Sequence, residues 1–286
     1  MTLEKPDLSG QTAFITGTTR GIGKHIALAL ADCGCNIVST GKTSEEDDYG
    51  DDRDLEGTIE QTAREVREKG PEALAIKLNV REEADVEAAA QEAIDAFGEV
   101  NIVINNASAI QLANVEDLPA NRFDLLTDVN IRGTHLVSRA FIDHLKEVDN
   151  AWLLTNAPPV KIDRAPGKAP YSWSKMGMSF LTLSLAAELA GDDVGCNTFW
   201  PVTAIDTRAT RYFGLGTEDD WRSPDIVSDA VLEILSRDPA EYTGNAVYDE
   251  ALLREAGVED FEQYNLTAGD PAPMSAQMFD PEFERP

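Results

Sequence analysis

Residues 12–32 read TAFITGTTRGIGKHIALALAD, in which three glycines separate an apolar run from an amphipathic pattern. The run at residues 13–16 is typical of a buried strand, and the pattern at residues 22–31 is typical of a helix. Glycines let the backbone approach a pyrophosphate closely, and the N-terminus of a helix offers free N–H groups to that anion. The stretch predicts a dinucleotide-binding strand, loop and helix, with a purely structural turn as the alternative.

Strand-like and helix-like patterns alternate along the rest of the chain. Further strands are predicted at residues 36–38, 73–78, 100–105, 152–155, 195–200 and 244–248, and further helices at residues 59–69, 86–97, 123–145, 171–189 and 225–236. This alternation predicts an α/β fold of the Rossmann type, a single doubly wound parallel sheet with helices on both faces.

We assign residues 1–265 to one dinucleotide-binding domain, because no repeat or linker divides them. Within that domain, residues 43–56 are mostly acidic and predict a solvated loop. Residues 266–286 are rich in proline and acid. We expect them to form an irregular tail that wraps the domain or a partner subunit.

Acidic residues dominate the charge: 52 Asp and Glu stand against 24 Lys and Arg, giving a net charge of −28 over 286 residues. This charge disfavours binding to nucleic acid and to anionic membranes. The sequence has no run of about 18 apolar residues that could span a membrane, and no signal-peptide pattern at its N-terminus. We therefore expect a cytoplasmic protein without a nucleic-acid or membrane partner.

Repulsion among so many carboxylates destabilises a compact chain, and dissolved salt screens that repulsion. We interpret the charge as a halophilic trait, an adaptation to a molar-salt cytoplasm. The melting temperature is expected to fall sharply on dialysis from molar KCl into dilute buffer. Equal melting temperatures in the two buffers would contradict this interpretation.

The cysteines Cys33, Cys35 and Cys196 are an odd number in a chain without an export signal. The C-x-C pair could indicate a metal or redox site, but no second cluster of ligands accompanies it. We interpret the pair as small residues at a helix–strand junction and predict no metal site.

Four motifs occur in the order and spacing of a known superfamily. Residues 16–23, TGTTRGIG, resemble the TGxxxGIG loop of the short-chain dehydrogenase/reductase superfamily, and residues 105–108, NNAS, resemble its NNAG motif. Residues 129–133, VNIRG, resemble the segment around its helix asparagine, and residues 171–175, YSWSK, match YxxxK. The stretches most similar to the hydroxysteroid dehydrogenase-like branch are residues 37–43, 105–110, 200–207 and 243–250.

The resemblance implies an oxidoreductase that interconverts a carbonyl and an alcohol of a small-molecule substrate by hydride transfer. It also implies a homodimer or homotetramer, packed through the helices predicted at residues 123–145 and 171–189. The implied catalytic residues are Tyr171, Lys175 and Asn130, with Asn130 positioning a water in the proton relay.

Tyr171 and Lys175 are four residues apart, so on a helix their side chains share one face. A nearby ammonium is expected to lower the pKa of the phenol, which could then exchange a proton with a carbonyl oxygen. A Tyr/Lys pair on an exposed helix face is the alternative.

The predicted second strand ends in STGK, residues 39–42, without the acid that pairs with the ribose of NAD. In the family, basic residues at the positions of Arg20 and Lys42 pair with the 2′-phosphate of NADP. We therefore expect NADP(H) as the cofactor, with two solvated surface cations as the alternative. The residues expected to bind it are Gly17, Thr19, Arg20, Gly21, Ile22, Gly23, Lys42, Asn79, Val80, Asn106, Ala107, Ser108, Tyr171, Lys175, Pro201 and Ala204.

One member of the family's catalytic group is missing. The family has a serine thirteen residues before the tyrosine, where this chain has Pro158, whose side chain has no hydrogen-bond donor. Asn156, on the same strand face, could supply the missing hydrogen bond, whereas alternation turns Thr155 away. The alternative function is a catalytically impaired NADP(H)-binding protein, a sensor or an assembly partner.

Overall fold

The computed structural model describes residues 4–44, 57–159 and 167–285. The strands in these ranges are β1 (Thr12–Thr16), β2 (Asn36–Gly41), β3 (Ala73–Lys77), β4 (Ile102–Asn105), β5 (Ala151–Asn156), β6 (Val194–Trp200), β7 (Ala204–Ile205), β8 (Trp221–Arg222) and β9 (Ala246–Tyr248). Seven of them form one sheet in the order β3-β2-β1-β4-β5-β6-β9, and every neighbouring pair is parallel. The doubly wound, Rossmann-type sheet is thereby confirmed.

The helices connect and cover these strands. They are α1 (Gly21–Asp32), α2 (Ile59–Glu68), α3 (Glu83–Phe97), α4 (Ala120–Leu126), α5 (Gly133–Leu145), α6 (Ala169–Glu188), α7 (Arg208–Tyr212), α8 (Asp225–Leu235), α9 (Asp249–Glu255) and α10 (Met274–Gln277). None of the helices in the described ranges is both long and apolar enough to cross a membrane.

The sheet separates two apolar cores, because successive strand residues point to opposite faces. Ile15 of β1 packs with α1, α2, α8 and α9 on one face. Phe14 packs with α3, α5 and α6 on the other, where its ring centroid lies 4.8 Å from that of Phe141. Helices therefore cover both faces, as predicted.

The structure differs in two respects from the prediction of one helix at residues 123–145. The helix begins at Ala120, directly after Pro119, whose fixed φ suits the start of a helix. It is also not one regular helix, because a π-helical turn at Thr127–Arg132 joins α4 to α5. Such a turn inserts an extra residue into the helix, and Asn130 lies within it.

Several elements have no counterpart in the predicted pattern. The strands β7 and β8 have two residues each, and α7, α9 and α10 have between four and seven. Segments this short are below the window in which periodicity is detected. Most of the predicted acidic loop, residues 45–56, lies outside the described residues.

Candidate active site

A cleft of about 510 Å³ opens at the carboxyl ends of the parallel strands, where β1 and β4 lie side by side although they are distant in sequence. Open α/β sheets bind their ligands at such a switch point. All of the residues predicted to bind a cofactor line this cleft, namely Gly17, Thr19, Arg20, Gly21, Ile22, Gly23, Lys42, Asn79, Val80, Asn106, Ala107, Ser108, Tyr171, Lys175, Pro201 and Ala204.

The glycine loop follows β1, and each of its glycines stands where a side chain would be strained or crowded. Gly17 and Gly21 have φ values of +75° and +58°, which favour glycine. Gly23 has an ordinary φ, but a Cβ on it would lie 2.4 Å from the carbonyl oxygen of Gly17 and from Nδ2 of Asn106. The loop is therefore held in one tight conformation in front of α1.

Hydrogen bonds join the ends of β1 and β4. The hydroxyl of Thr16 accepts from the backbone N–H groups of Asn106 and Ala107, at 2.9 and 3.0 Å. Nδ2 of Asn106 donates to the carbonyl oxygens of Thr16 and Gly17, at 3.0 and 3.1 Å. The floor of the cleft is thus fixed before any ligand binds.

Asn156, the last residue of β5, continues this network into the cleft. Its Nδ2 donates to Oδ1 of Asn106 at 3.0 Å. This contact sets the orientation of the Asn156 side-chain amide, with Nδ2 toward Asn106. Oδ1 of Asn156 is buried and has no hydrogen-bond partner within the described chain. A buried carbonyl oxygen without a donor is costly, so this atom is suited to accept a hydrogen bond from a ligand.

Tyr171 and Lys175 lie on the buried face of α6, 5% and 1% exposed. Nζ of Lys175 donates to the carbonyl oxygen of Asn156 at 2.6 Å and lies 4.9 Å from the ring centroid of Trp200. Burial lowers the pKa of Lys175 to about 7. Burial also raises the pKa of Tyr171 above its usual range. The expected lowering of the Tyr171 pKa is therefore wrong, because desolvation of the phenol dominates.

Asn130 is fully buried and is not among the residues that line the cleft. Its Oδ1 accepts from the N–H of Ala109 at 2.7 Å, and its Nδ2 donates to the carbonyl oxygen of Ala109 at 3.0 Å and to Oγ of Ser174 at 2.9 Å. Ser174 in turn donates to the carbonyl oxygen of Tyr171 at 2.8 Å. Asn130 therefore ties the cleft wall after β4 to the first turns of α6.

The missing serine is not replaced at its own position. Pro158 is buried outside the cleft lining, and its carbonyl oxygen accepts a hydrogen bond from Ser179 of α6. Thr155 points to the same helix, with its hydroxyl 2.7 Å from that of Thr182. Asn156 is the β5 side chain that reaches the cleft, which agrees with the alternation argument.

Sequence reasoning missed the contribution of the C-terminal residues. Met274, Ser275 and Met278 line the cleft, although residues 266–286 were expected to be an irregular tail. The spacing of four between Met274 and Met278 is the one signal that could have placed both on a helix face.

The cysteines lie away from the cleft. All three are free and buried, and burial raises the pKa of the thiols of Cys33 and Cys196. Over the ranges that the structure describes, no group of three or more His, Cys, Asp and Glu side chains is arranged to hold a metal ion.

The short chain dehydrogenase family model matches residues 11–214. Hydroxysteroid dehydrogenase-like protein 2 of Homo sapiens is 42% identical over 267 residues, which are 92% of this chain and 62% of that protein. The protein of the same name from Danio rerio is 37% identical over 268 residues, 92% of this chain and 63% of that protein. The chain thus spans about three fifths of the length of these curated relatives.

A solved structure shows the same fold. The crystal structure of a short chain dehydrogenase from Mycobacterium thermoresistibile superimposes with a TM-score of 0.85 at 35% identity, covering 93% of this chain and 94% of that one. The extent of the family match and the identity to relatives that cover nearly all of the chain lead to one conclusion. The chain belongs to the short-chain dehydrogenase/reductase family of oxidoreductases, in a hydroxysteroid dehydrogenase-like branch.

Proposed function

We propose that this chain is an NADP(H)-dependent oxidoreductase that interconverts a carbonyl and an alcohol of a small molecule, with Tyr171 as the acid and base. The observation that carries the proposal is that Tyr171 and Lys175 share one cleft with the glycine loop. When bound there, the nicotinamide supplies or accepts the hydride. The protein supplies the proton and positions the reacting groups.

The raised pKa keeps the Tyr171 hydroxyl protonated at neutral pH, so it is able to donate a proton to a carbonyl oxygen. Lys175, with a pKa of about 7, readily gains or loses its own proton near neutrality. Its hydrogen bond to the carbonyl oxygen of Asn156 fixes where that charge lies. Asn130 acts at a distance from the substrate, because it positions the backbone of Tyr171 through Ser174.

The cleft fits a dinucleotide in two ways. The glycine loop forms a cradle that a Cβ at Gly23 would fill, and it precedes the N-terminus of α1, where backbone N–H groups bind anions. Asn156 also lines the cleft, and its buried Oδ1 is an acceptor without a partner in the described chain. The residues that would hold the cofactor are the predicted cofactor-binding residues, all of which line this cleft.

The charge of the cleft favours NADP(H) over NAD(H). Among the described residues, no acidic side chain lines the cleft, although the whole chain has a net charge of −28. The basic residues that line it are Arg20, Lys42, Arg81, Lys175 and Arg208. Arg20 of the glycine loop and Lys42, which follows β2, both line the cleft, and the adenosine ribose of a dinucleotide is expected near the end of β2.

Lys42→Ala is expected to raise the Kd of NADPH about tenfold and to leave the Kd of NADH unchanged, because only NADPH has the 2′-phosphate. Fluorescence titration in one fixed salt concentration measures both. Lys77→Ala, which removes a cation from β3 outside the cleft, is the matched control. Equal weakening of both cofactors in Lys42→Ala would contradict the proposed role.

Consumption of NADPH in molar KCl, with a panel of ketones and aldehydes, tests the proposed reaction. Pro158 favours the second candidate, an impaired NADP(H)-binding protein, because removing one hydrogen-bond donor from an active site lowers the rate by about 10²–10³-fold. Turnover by the wild type that is unchanged in Asn156→Ala would show that Asn156 does not replace the serine. NADPH binding without turnover of any carbonyl would establish the second candidate.

We also propose that a second copy of the chain covers an aromatic face of α4 and α6, giving a homodimer or homotetramer. Phe123 and Trp173 stack there with ring centroids 5.6 Å apart, and Phe180 on the same helix as Trp173 is 69% exposed. Exposed large aromatic side chains of this kind are typical of interfaces. Phe180→Glu is expected to give a smaller species than the wild type on size-exclusion chromatography in molar KCl. A wild type that elutes as a monomer would contradict the proposal.

A further inference from the structure

Residues 266–285, named here the C-terminal segment, fold back onto the Tyr171 end of the cleft. The backbone N–H groups of Ser275 and Ala276 both donate to the carbonyl oxygen of Val202, at 3.1 and 3.0 Å. Nε1 of Trp200 donates to the carbonyl oxygen of Ser275 at 3.3 Å. The segment is therefore attached to the loop that follows β6, which also lines the cleft.

Phe279 packs this segment directly against the proposed acid. It is 3% exposed, and its ring centroid lies 6.2 Å from that of Tyr171 and 5.3 Å from that of Trp200, edge-on to the latter. Met278 and Ile110 pack against the same cluster. Met274 and Met278 both line the cleft that contains Tyr171, so the segment gives that cleft two apolar side chains.

Two ion pairs fasten the segment to the domain. Arg222 of β8 and Glu250 of α9 are 1% and 0% exposed and pair with each other. Oδ1 of Asp270, in the segment, lies 2.9 Å from Nη2 of Arg222. Nε of Arg285, also in the segment, lies 3.3 Å from Oε1 of Glu250. Arg285 and Asp270 pair with each other as well. Both contacts with the domain join the segment to a buried partner, so removing Arg285 would leave the carboxylate of Glu250 with fewer positive charges around it.

We propose that the C-terminal segment is the specificity-determining wall of this active site, in which Met274 and Met278 receive the hydrocarbon part of the carbonyl substrate. This inference rests on the proposed function. The substrate class is a ketone or aldehyde with an extended hydrocarbon group and no charge near the reacting carbon. A methionine wall suits such a group, since its unbranched side chains adapt to irregular apolar shapes. The segment lies beyond residues 11–214, the part of the chain that the family model matches.

Calorimetry of a series of methyl ketones with lengthening alkyl chains tests the wall independently of turnover. The titrations are made with NADP⁺ present, since no hydride is then available for transfer. In the wild type we expect affinity to rise with chain length. In Met278→Ala and Met274→Ala we expect the longest ketones to bind about tenfold more weakly and the shortest to bind unchanged.

Two further variants sharpen the result. Met176→Ala removes a methionine that packs against the same cluster from α6 but does not line the cleft, so ketone affinity should not change. Arg285→Met releases the end of the segment. It should weaken the binding of the long ketones as Met278→Ala and Met274→Ala do. Unchanged long-ketone affinity in both wall variants would overturn the inference, as would a wild type that binds no ketone. If the expected binding pattern occurs but the protein reduces no ketone with NADPH, the proposed function is wrong. The inference that the C-terminal segment binds the hydrocarbon group then still holds.

Discussion

Tyr171→Phe is expected to lower the kcat of carbonyl reduction about 1,000-fold, with the Kd of NADPH within about twofold of the wild-type value. The substitution removes one hydroxyl and keeps the ring that packs against Phe279 in the cleft wall. The loss therefore reports the proton transfer rather than a change in folding. The measurement is steady-state consumption of NADPH in molar KCl with the best ketone from the panel.

The matched control is Tyr242→Phe. Tyr242 is a half-buried tyrosine outside the cleft, with the guanidinium of Arg237 4.2 Å from its ring centroid. We expect its kcat to equal that of the wild type. If Tyr171→Phe reduces ketones as fast as Tyr242→Phe does, Tyr171 is not the acid and the catalytic assignment is wrong.

The pH dependence of turnover distinguishes Tyr171 from Lys175. Tyr171 has a raised pKa and stays protonated across the neutral range, so it contributes no change there. Lys175 is protonated below about 7 and neutral above it. If the lysine must carry its charge, kcat falls as the pH rises through about 7, and this fall is absent from whatever activity Lys175→Met retains.

Much of the site could be predicted because its residues lie in local patterns. The glycine loop and the Tyr171–Lys175 pair are each contained within a few residues, so both could be found in the sequence, and their order and spacing together indicate the family. The parallel sheet then brings the ends of β1, β2, β4, β5 and β6 to one edge. For that reason residues as far apart in the chain as Gly17, Asn106 and Pro201 line a single cleft.

The errors concern contacts between distant segments. The pKa of Tyr171 was expected to follow its neighbour on the helix, but burial of the phenol decides it instead, and one of the rings packed near it is Phe279, more than a hundred residues later in the chain. The contacts of Asn130 depend on a π-helical turn and on the backbone of Ala109, neither of which hydropathy shows, while its expected role in the proton relay stays a prediction. The C-terminal segment was expected to wrap the domain or a partner subunit, but its contacts with the cleft were not predicted, because proline and acidic residues interrupt its apolar pattern.

Gly23→Ala is expected to weaken NADPH binding about 100-fold, the same order as the loss of rate that a misplacement of about 1 Å causes in an active site. The added Cβ would lie 2.4 Å from the carbonyl oxygen of Gly17 and from Nδ2 of Asn106, so the glycine loop and the start of α1 must move apart. That movement breaks the hydrogen bond of 3.1 Å between Asn106 and Gly17. Since the φ of Gly23 is not positive, crowding alone causes the loss.

Gly98→Ala provides the opposite case and serves as the control. Gly98 has a φ of +79° at the end of α3, and a Cβ on it would meet no atom within 4 Å. This variant should lose about 1 kcal/mol of unfolding free energy through backbone strain and bind NADPH as the wild type does. Thermal melting and fluorescence titration of both variants, in the same molar KCl, separate strain from crowding. Wild-type affinity in a folded Gly23→Ala protein would show that the pyrophosphate does not bind at this loop, and the cofactor assignment would then fail with it.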